Sequence, residues 1–324
     1  MVENPRYMLG QGPTIVLALG GNALGNTPQE QLKLVKNTAR SIVDLVADGA
    51  NAIVSHGNGP PVGMVTNALG AAGKVEDKTP DMPFPEAGAM TQGYIGYQLS
   101  QAILNELRRR GIDRSCACVV TQTVVDKNDP GFKNPTKPVG AFLTEEEAKA
   151  KAKETGYTYN EDAGRGWRQV VASPKTIRIV EADAIQDLVD QGYIVVSTGG
   201  GGVPVFETKD GYEGTPAVID KDRSSARLAI DFQADMLVIL TAVEKVCVNF
   251  NTPDQRTIDR LTATRARQYI QEGQFAAGSM LPKIEACLEY VEEYPKGEAL
   301  ITSLNSALAA IRGETGTVVY KEVQ

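Results

Sequence analysis

Apolar residues recur along this chain in two rhythms. Ile15, Val16, Leu17, Ala18 and Leu19 form an unbroken run closed by Gly20 and Gly21, the pattern of a parallel strand buried on both faces. Leu32, Val35, Ala39, Ile42 and Val46 then return every three or four positions. They follow Thr27, Pro28 and Glu30, which stand at the N-cap, N1 and N3 spacing of a capped helix ending by Gly49. A short apolar run at 52–55 feeds a glycine turn, His56-Gly57-Asn58-Gly59. Strand, helix and strand in this order call for a parallel sheet. The alternation continues with a helix at 94–110, a strand at 117–121, a helix at 182–191 and a strand at 194–197 that runs into Gly199 to Gly202. After Val218 and Ile219, Asp220-Lys221-Asp222 opens a helix to about Gln233, and a strongly apolar strand follows at 236–241. Helices at 264–272, 279–293 and 303–312 and a strand at 317–319 close the chain.

Between 126 and 167 the rhythm breaks. Prolines, a charged run from Glu145 to Glu154, and Tyr157, Tyr159 and Trp167 predict an inserted excursion or lid rather than a layer of the sheet, because loops this long in compact proteins are functional or disordered. A length of 324 residues is that of two domains or one large α/β unit, since single cores stop growing near about 250–300 residues.

Composition narrows the chemistry. With 42% hydrophobic and 23% charged residues the chain is an ordinary globular protein. Its 33 Lys and Arg against 40 Asp and Glu leave a formal charge of −7, which argues against a nucleic-acid partner. A single histidine, His56, removes three-histidine zinc sites and HExxH, and leaves a Ser-His-Asp triad only if it uses that residue. Cys116, Cys118, Cys247 and Cys287 contain no C-x-x-C, and are expected to be buried small hydrophobes in a reducing compartment. Met1 to Gly12 lacks the apolar core of a signal peptide, and no apolar run is long enough for a membrane span, so a cytoplasmic location with no membrane partner is expected.

Three glycine-rich turns, Gly20-Gly21-Asn22, Gly57-Asn58-Gly59 and Gly199 to Gly202, each follow a strand. In an open parallel sheet ligands sit at those strand ends, and glycine lets backbone N–H groups approach a phosphate. Any one alone could be a tight turn; three at equivalent places indicate an anion or nucleotide site. Neither G-x-x-x-x-G-K-[ST] nor G-x-G-x-x-G occurs, which disfavours a P-loop enzyme and a dinucleotide-binding dehydrogenase. Lys221 stands between two aspartates at a strand-to-helix turn. Lys283 lies in the first turn of a helix, where the dipole is already positive; it is either a solvated surface lysine or a cation facing a bound anion. Lys127, in Asp126-Lys127-Asn128-Asp129, is a weaker signal of the same kind. Glycine cradles with dispersed lysines and no Ser, Cys or His nucleophile suit phosphoryl transfer, which needs positioning and charge neutralisation more than covalent help. His56 fits a hydrogen-bonding turn residue better than a base.

At these residues the chain resembles the amino acid kinase superfamily and, within it, the carbamate kinases. The matching segments are ALGGNAL (18–24), SHGNGP (55–60), PEAGAMTQGYIGYQL (85–99), TQTVVDKNDPGF (121–132), STGGGGVPV (197–205), VIDKDRSSA (218–226), LTAVEKV (240–246) and GSMLPKIEA (278–286). They cover nearly the whole chain in order. The first glycine loop lacks the lysine common elsewhere in the superfamily, and Pro61 stands where glutamine is common. The resemblance implies a three-layer αβα sandwich with an open, mainly parallel sheet. It divides the chain into an N-terminal carbamate lobe at 1–215, carrying a protruding subdomain at about 125–168, and a C-terminal nucleotide lobe at 216–324. It implies reversible phosphoryl transfer between ATP and carbamate, giving ADP and carbamoyl phosphate, with Mg²⁺, in a cytoplasmic homodimer that makes ATP at the end of arginine fermentation through arginine deiminase. It further implies that Gly20, Gly21, Asn22, Gly57, Asn58, Gly59, Gly200 and Gly201 bind substrate. Lys127, Lys221 and Lys283 would neutralise phosphoryl charge and Asp222 would orient Lys221. Thr241, Ala242, Val243 and Met280, with Lys221 and Lys283, would bind the nucleotide. A relative acting on another carboxylate, such as acetylglutamate or aspartate, and a nucleotide-sensing paralogue without activity are the rival readings. The missing first-loop lysine and the presence of the Lys127 subdomain count against the first, and the presence of all three lysines against the second.

Overall fold

A computed structural model describes residues 12–20, 27–76, 82–162, 164 and 166–322. The N-terminal half opens with β1 (Thr14–Leu19), α1 (Pro28–Ala47), β2 (Asn51–His56), α2 (Gly59–Glu76), α3 (Phe84–Arg110) and β3 (Cys116–Cys118). The chain then leaves the main sheet through β4 (Gln122–Val125), α4 (Pro130–Lys133), β5 (Lys137–Leu143), α5 (Glu145–Thr155), β6 (Tyr159–Glu161), β7 (Trp167–Val171) and β8 (Thr176–Ile179). It returns by α6 (Ala182–Asp190) and β9 (Ile194–Val196), and makes the hairpin β10 (Val203–Thr208) and β11 (Gly211–Gly214). The remainder is α7 (Lys221–Asp231), β12 (Met236–Thr241), β13 (Val246–Val248), β14 (Arg256–Ile258), β15 (Arg260–Thr262), α8 (Ala263–Gln271), α9 (Met280–Glu293), β16 (Glu298–Ser303), α10 (Ala307–Ile311) and β17 (Thr317–Tyr320).

Eight strands form the central sheet in the order β15-β17-β16-β12-β1-β2-β9-β3. Six run parallel; β17 is antiparallel to β16, and β15 follows β17. Alternate residues of each strand face two cores. Val16, Ala18, Ile53, Val195, Leu237 and Ile239 pack under α6, α7, α8 and α9. Ile15, Leu17, Leu19, Val54, Val196, Val238 and Leu240 pack under α1, α3 and α10. Burial of both faces explains the unbroken apolar runs, and the expected αβα sandwich is present. The Thr27 capping box and Pro28 start α1 where the spacing placed them.

Four expectations are corrected. The strand expected at 117–121 ends at Cys118, and the next strand, β4, starts at Gln122 in another sheet. The side chain of Gln92 accepts from the Thr121 N–H at 2.9 Å and donates to its carbonyl at 3.0 Å, which takes the chain off the sheet edge. The helix expected from 94 begins ten residues earlier; its glycines hid it, and Gly96 is needed because a Cβ there would overlap Cys118 Sγ. The excursion is ordered, with its own three-stranded sheet β5-β7-β6 and the capped helix α5, while β4 and β8 join β10 and β11 in a four-stranded sheet. Of the cysteines only Cys287 is fully buried, and Cys118, on the edge strand, is exposed. Several elements had no expected counterpart: α2, the short strands β8, β10, β11, β13, β14 and β15, and the buried strand β16. No helix among the described residues is long and apolar enough to cross a membrane.

Leu17 is fully buried at the centre of the sheet. Leu17→Ala should lower unfolding free energy by about 2–5 kcal/mol, seen as a reduced urea midpoint at unchanged m-value; an unchanged midpoint would contradict this packing.

Candidate active site

The sheet reverses its winding between β1 and β12: on one side of β1 lie β2, β9 and β3, with β9 inserted last, and the chain then crosses to the other side of β1 as β12 and β16. Such a switch point splays the loops at the carboxyl ends of the strands and opens a crevice. A cleft of about 240 Å³ lies there, lined by Gly20, Leu240, Thr241, Ala242, Ser303 and residues of α1. Gly20 donates to the Leu240 carbonyl at 3.1 Å, and a Cβ on it would come within 2.8 Å of that oxygen. Gly21 and Asn22 lie outside the described residues.

At the ends of β2 and β9 the other two glycine turns meet. A Cβ on Gly199 would strike the His56 ring at 2.6 Å, and one on Gly200 would strike the Asn58 amide at 2.2 Å. Gly200, Gly201 and Gly202 all have positive φ, and so does Thr198 at 47°, a conformation costing a β-branched residue about 1–3 kcal/mol. The hydroxyls of Ser197 and Thr198 are buried there without a hydrogen-bond partner. Strain and unsatisfied polar groups concentrated at one strand end mark a built site rather than a connecting turn. Asn58 is fixed by its amide donating to Thr91 Oγ1 at 3.0 Å.

Pro60 and Pro61 occupy the first turn of α2, where backbone N–H groups have no intrahelical acceptor and proline is tolerated. Pro61 therefore leaves the glycine turn intact but removes a backbone donor from the first turn of α2.

The charged groups come from α7 and α9. Asp220 caps α7, accepting from the Asp222 N–H at 3.0 Å. Asp222 is buried; one carboxylate oxygen takes a short hydrogen bond from Lys221 Nζ, and the other accepts from Lys283 Nζ at 2.9 Å. Burial alone would raise the Asp222 pKa, but the two ammonium groups overcome it and hold the carboxyl at about 2. Burial pulls Lys221 below its ordinary value, partly offset by Asp222. The Lys221 stem lies along the Gly57 turn, its Cδ 3.8 Å from where a Cβ of that glycine would sit. Ser225 donates to the Lys221 carbonyl at 2.6 Å and accepts from Ser55 at 2.8 Å, pinning α7 to the end of β2.

The structure thus brings together Lys221, Asp222, Lys283 and the turns at 57–59 and 199–202, with Met280 at the start of α9. Thr241 and Ala242 line the neighbouring cleft with Gly20, and Val243 is exposed just beyond. Lys127 is exposed in the turn after β4. The lysine of this segment that reaches the cluster is Lys137, 2.8 Å from Asp220; its Thr-Lys-Pro surroundings carried no sequence signal. Among the described residues no cluster of three His, Cys, Asp or Glu could hold a metal, and both site carboxylates are engaged by lysines, so these residues form no magnesium cage.

His56 is buried, and with Nδ1 donating to the Gly57 carbonyl at 3.0 Å it walls the glycine turns rather than acting as a base. Burial lowers its pKa from 6.5 to about 4. Between those pH values the unfolded chain binds the proton and the folded one does not. Stability therefore falls as pH falls, by about 1.4 kcal/mol per unit well below the unfolded pKa. His56→Gln should flatten that loss in urea midpoints taken from pH 6.5 to 4; an equal slope would refute a neutral buried ring.

Comparison with known proteins agrees with this geometry. The model of the amino acid kinase family matches residues 13–302. A carbamate kinase of Clostridium perfringens is 52% identical over 95% of this chain and 99% of its own length. The carbamate kinase-like protein YqeA of Escherichia coli is 52% identical over 94% of this chain and 98% of its own. Among solved structures, carbamate kinase from Giardia lamblia bound to AMP-PNP superposes with a TM-score of 0.89 at 39% identity, over 97% of this chain and 100% of that one. With the sheet, its crevice and most of the sequence all matched, the chain belongs to the amino acid kinase family.

Proposed function

We propose that this chain is a carbamate kinase, transferring a phosphoryl group reversibly between ATP and carbamate to give ADP and carbamoyl phosphate. The observation that carries the reading is the pair of ammonium groups, Lys221 and Lys283, held on one buried carboxylate beside two interlocked glycine turns. Relatives about half identical over nearly the whole chain support carbamate as the acceptor.

In-line transfer spreads charge over three equatorial oxygens and needs preorganised cations more than a covalent nucleophile. Asp222 holds the Lys221 and Lys283 side chains, one on each carboxylate oxygen, and so fixes their direction before substrate arrives. Gly20, Gly21, Asn22, Gly57, Asn58 and Gly59, with Gly200 and Gly201, would hold carbamate and the phosphoryl group by backbone donors. Thr241, Ala242, Val243 and Met280 would receive the nucleotide, whose phosphates would carry Mg²⁺ in with them. Lys127, from the excursion, would add a further positive charge toward the phosphoryl oxygens. The division at 215/216 into a carbamate lobe and a nucleotide lobe belongs to this proposal, as do a homodimer, a cytoplasmic location and ATP synthesis at the end of arginine breakdown.

An assay coupling ATP formation to ADP and carbamoyl phosphate tests the reading; no ATP would leave a paralogue or another acceptor. In that assay Lys221→Ala should fold normally yet lose at least about a hundredfold in turnover, and near-normal turnover would sink the assignment.

A further inference from the structure

At the opposite end of the sheet from the crevice, one covered charge is left unmatched. Arg110, Arg168, Arg178, Arg223 and Arg227, the other partly buried arginines among the described residues, each have a carboxylate oxygen within 3.3 Å. Arg114, just before β3, has no carboxylate partner among those residues. Its Nε donates to the Gly192 carbonyl at 2.8 Å, one terminal nitrogen to the Ala50 carbonyl at 2.9 Å, and the other to Asn51 Oδ1 at 3.1 Å. These oxygens belong to the starts of β2 and β9, so the guanidinium is clamped at the amino end of the sheet. All three are neutral, and they satisfy hydrogen bonds without offsetting the charge. Burial therefore pulls the Arg114 pKa below its ordinary value unopposed. A guanidinium carries five N–H donors, and two of them, one on each terminal nitrogen, remain unused. Arg114 lines a cavity of about 320 Å³ with Ser115, Gln191 and Tyr193. Asp113 is the one acidic lining residue, and it is exposed.

We propose that this cavity is a binding site for a small oxyanion, a phosphate or a carboxylate, with Arg114 as its anchoring cation. A guanidinium already fixed by three acceptors loses little freedom on binding, and its free donors suit the paired oxygens of such a ligand. The Ser115 hydroxyl, exposed beside it, supplies a further donor. Asp113 opposes an anion, but from the solvated rim, where its charge is screened. The site is separate from the reaction crevice: β2 begins at Asn51 and ends at His56, which puts roughly 16 Å of strand between Arg114 and the glycine turns. It stands whatever acceptor the reaction uses.

The test is calorimetric titration of the parent, Arg114→Gln and Asp113→Asn with inorganic phosphate and, separately, with succinate, ionic strength being held constant with chloride. The crevice contributes equally in all three proteins, so differences among them belong to this cavity. The parent should bind at least one of the two anions in the millimolar range. Arg114→Gln should weaken that binding at least about tenfold, the loss expected for charge-assisted hydrogen bonds. Asp113→Asn should strengthen it about two- to threefold by removing a screened opposing charge. Affinity for ADP, which reports the crevice, should stay the same throughout. The anion whose binding Arg114→Gln removes identifies the ligand as phosphate-like or carboxylate-like. Failure of the parent to bind either anion overturns the proposal, and so do equal affinities in the parent and Arg114→Gln. Arg114 also ties two strands together. If Arg114→Gln does not fold, or loses ADP as well, crystals of the parent grown with the anion it binds decide the matter: density within hydrogen-bond distance of the guanidinium supports the site, and its absence overturns it. Such density together with equal affinities in solution means an adventitious ion only, and the proposal falls.

Discussion

Burying both faces of a parallel sheet leaves one place for polar chemistry, the ends of the strands. β1, β9 and β12 are apolar nearly throughout, and β2 at its centre, because each lies between two helical layers, and their backbone groups are spent on one another. Polarity begins where they stop: at Gly20, at His56 and Gly57, at Ser197 and Thr198, and at Thr241. The glycine turns, the strained threonine and the start of α7 all sit at this boundary. The position of the site is thus a consequence of how the core is made.

At that boundary electrostatics is settled by pairing rather than by exposure. A buried carboxylate and a buried ammonium are each costly alone. Here every carboxylate oxygen of Asp220 and Asp222 has an N–H donor. The cation excess left over is small, which is how an acidic protein of net charge −7 presents a positive face to an anion without a basic surface.

The sandwich was legible because its strands and helices carry opposite rhythms: Thr14–Leu19 and Met236–Thr241 stand where an unbroken apolar run placed them, and Thr27 with Pro28 announced α1. Elements whose stability comes from tertiary contact were not legible. β16 has only Ala299, Leu300 and Ile301 as apolar residues, yet it buries Thr302 as well because neighbours enclose it. α2 and the first third of α3 are rich in glycine and proline, so propensity argued against helices that packing supplies. At the site, Lys221 and Asp222 were visible from their place between strand and helix. Lys137 was not, because what distinguishes it is a partner 83 residues away.

The innermost pairing of the sheet joins Ile15 to Met236 and Leu19 to Leu240. At about 5–20 residues per second, a ribosome needs roughly 10 to 45 seconds between making the two partners. Throughout that interval one edge of β1 lacks its neighbour, and pairings so distant in sequence are slow to form in any case. Closing the middle of the sheet is therefore a late event for the nascent chain, and until it happens the crevice between β1 and β12 does not exist. Nucleotide-sized ligands can stabilise only the finished product, never the half-made one.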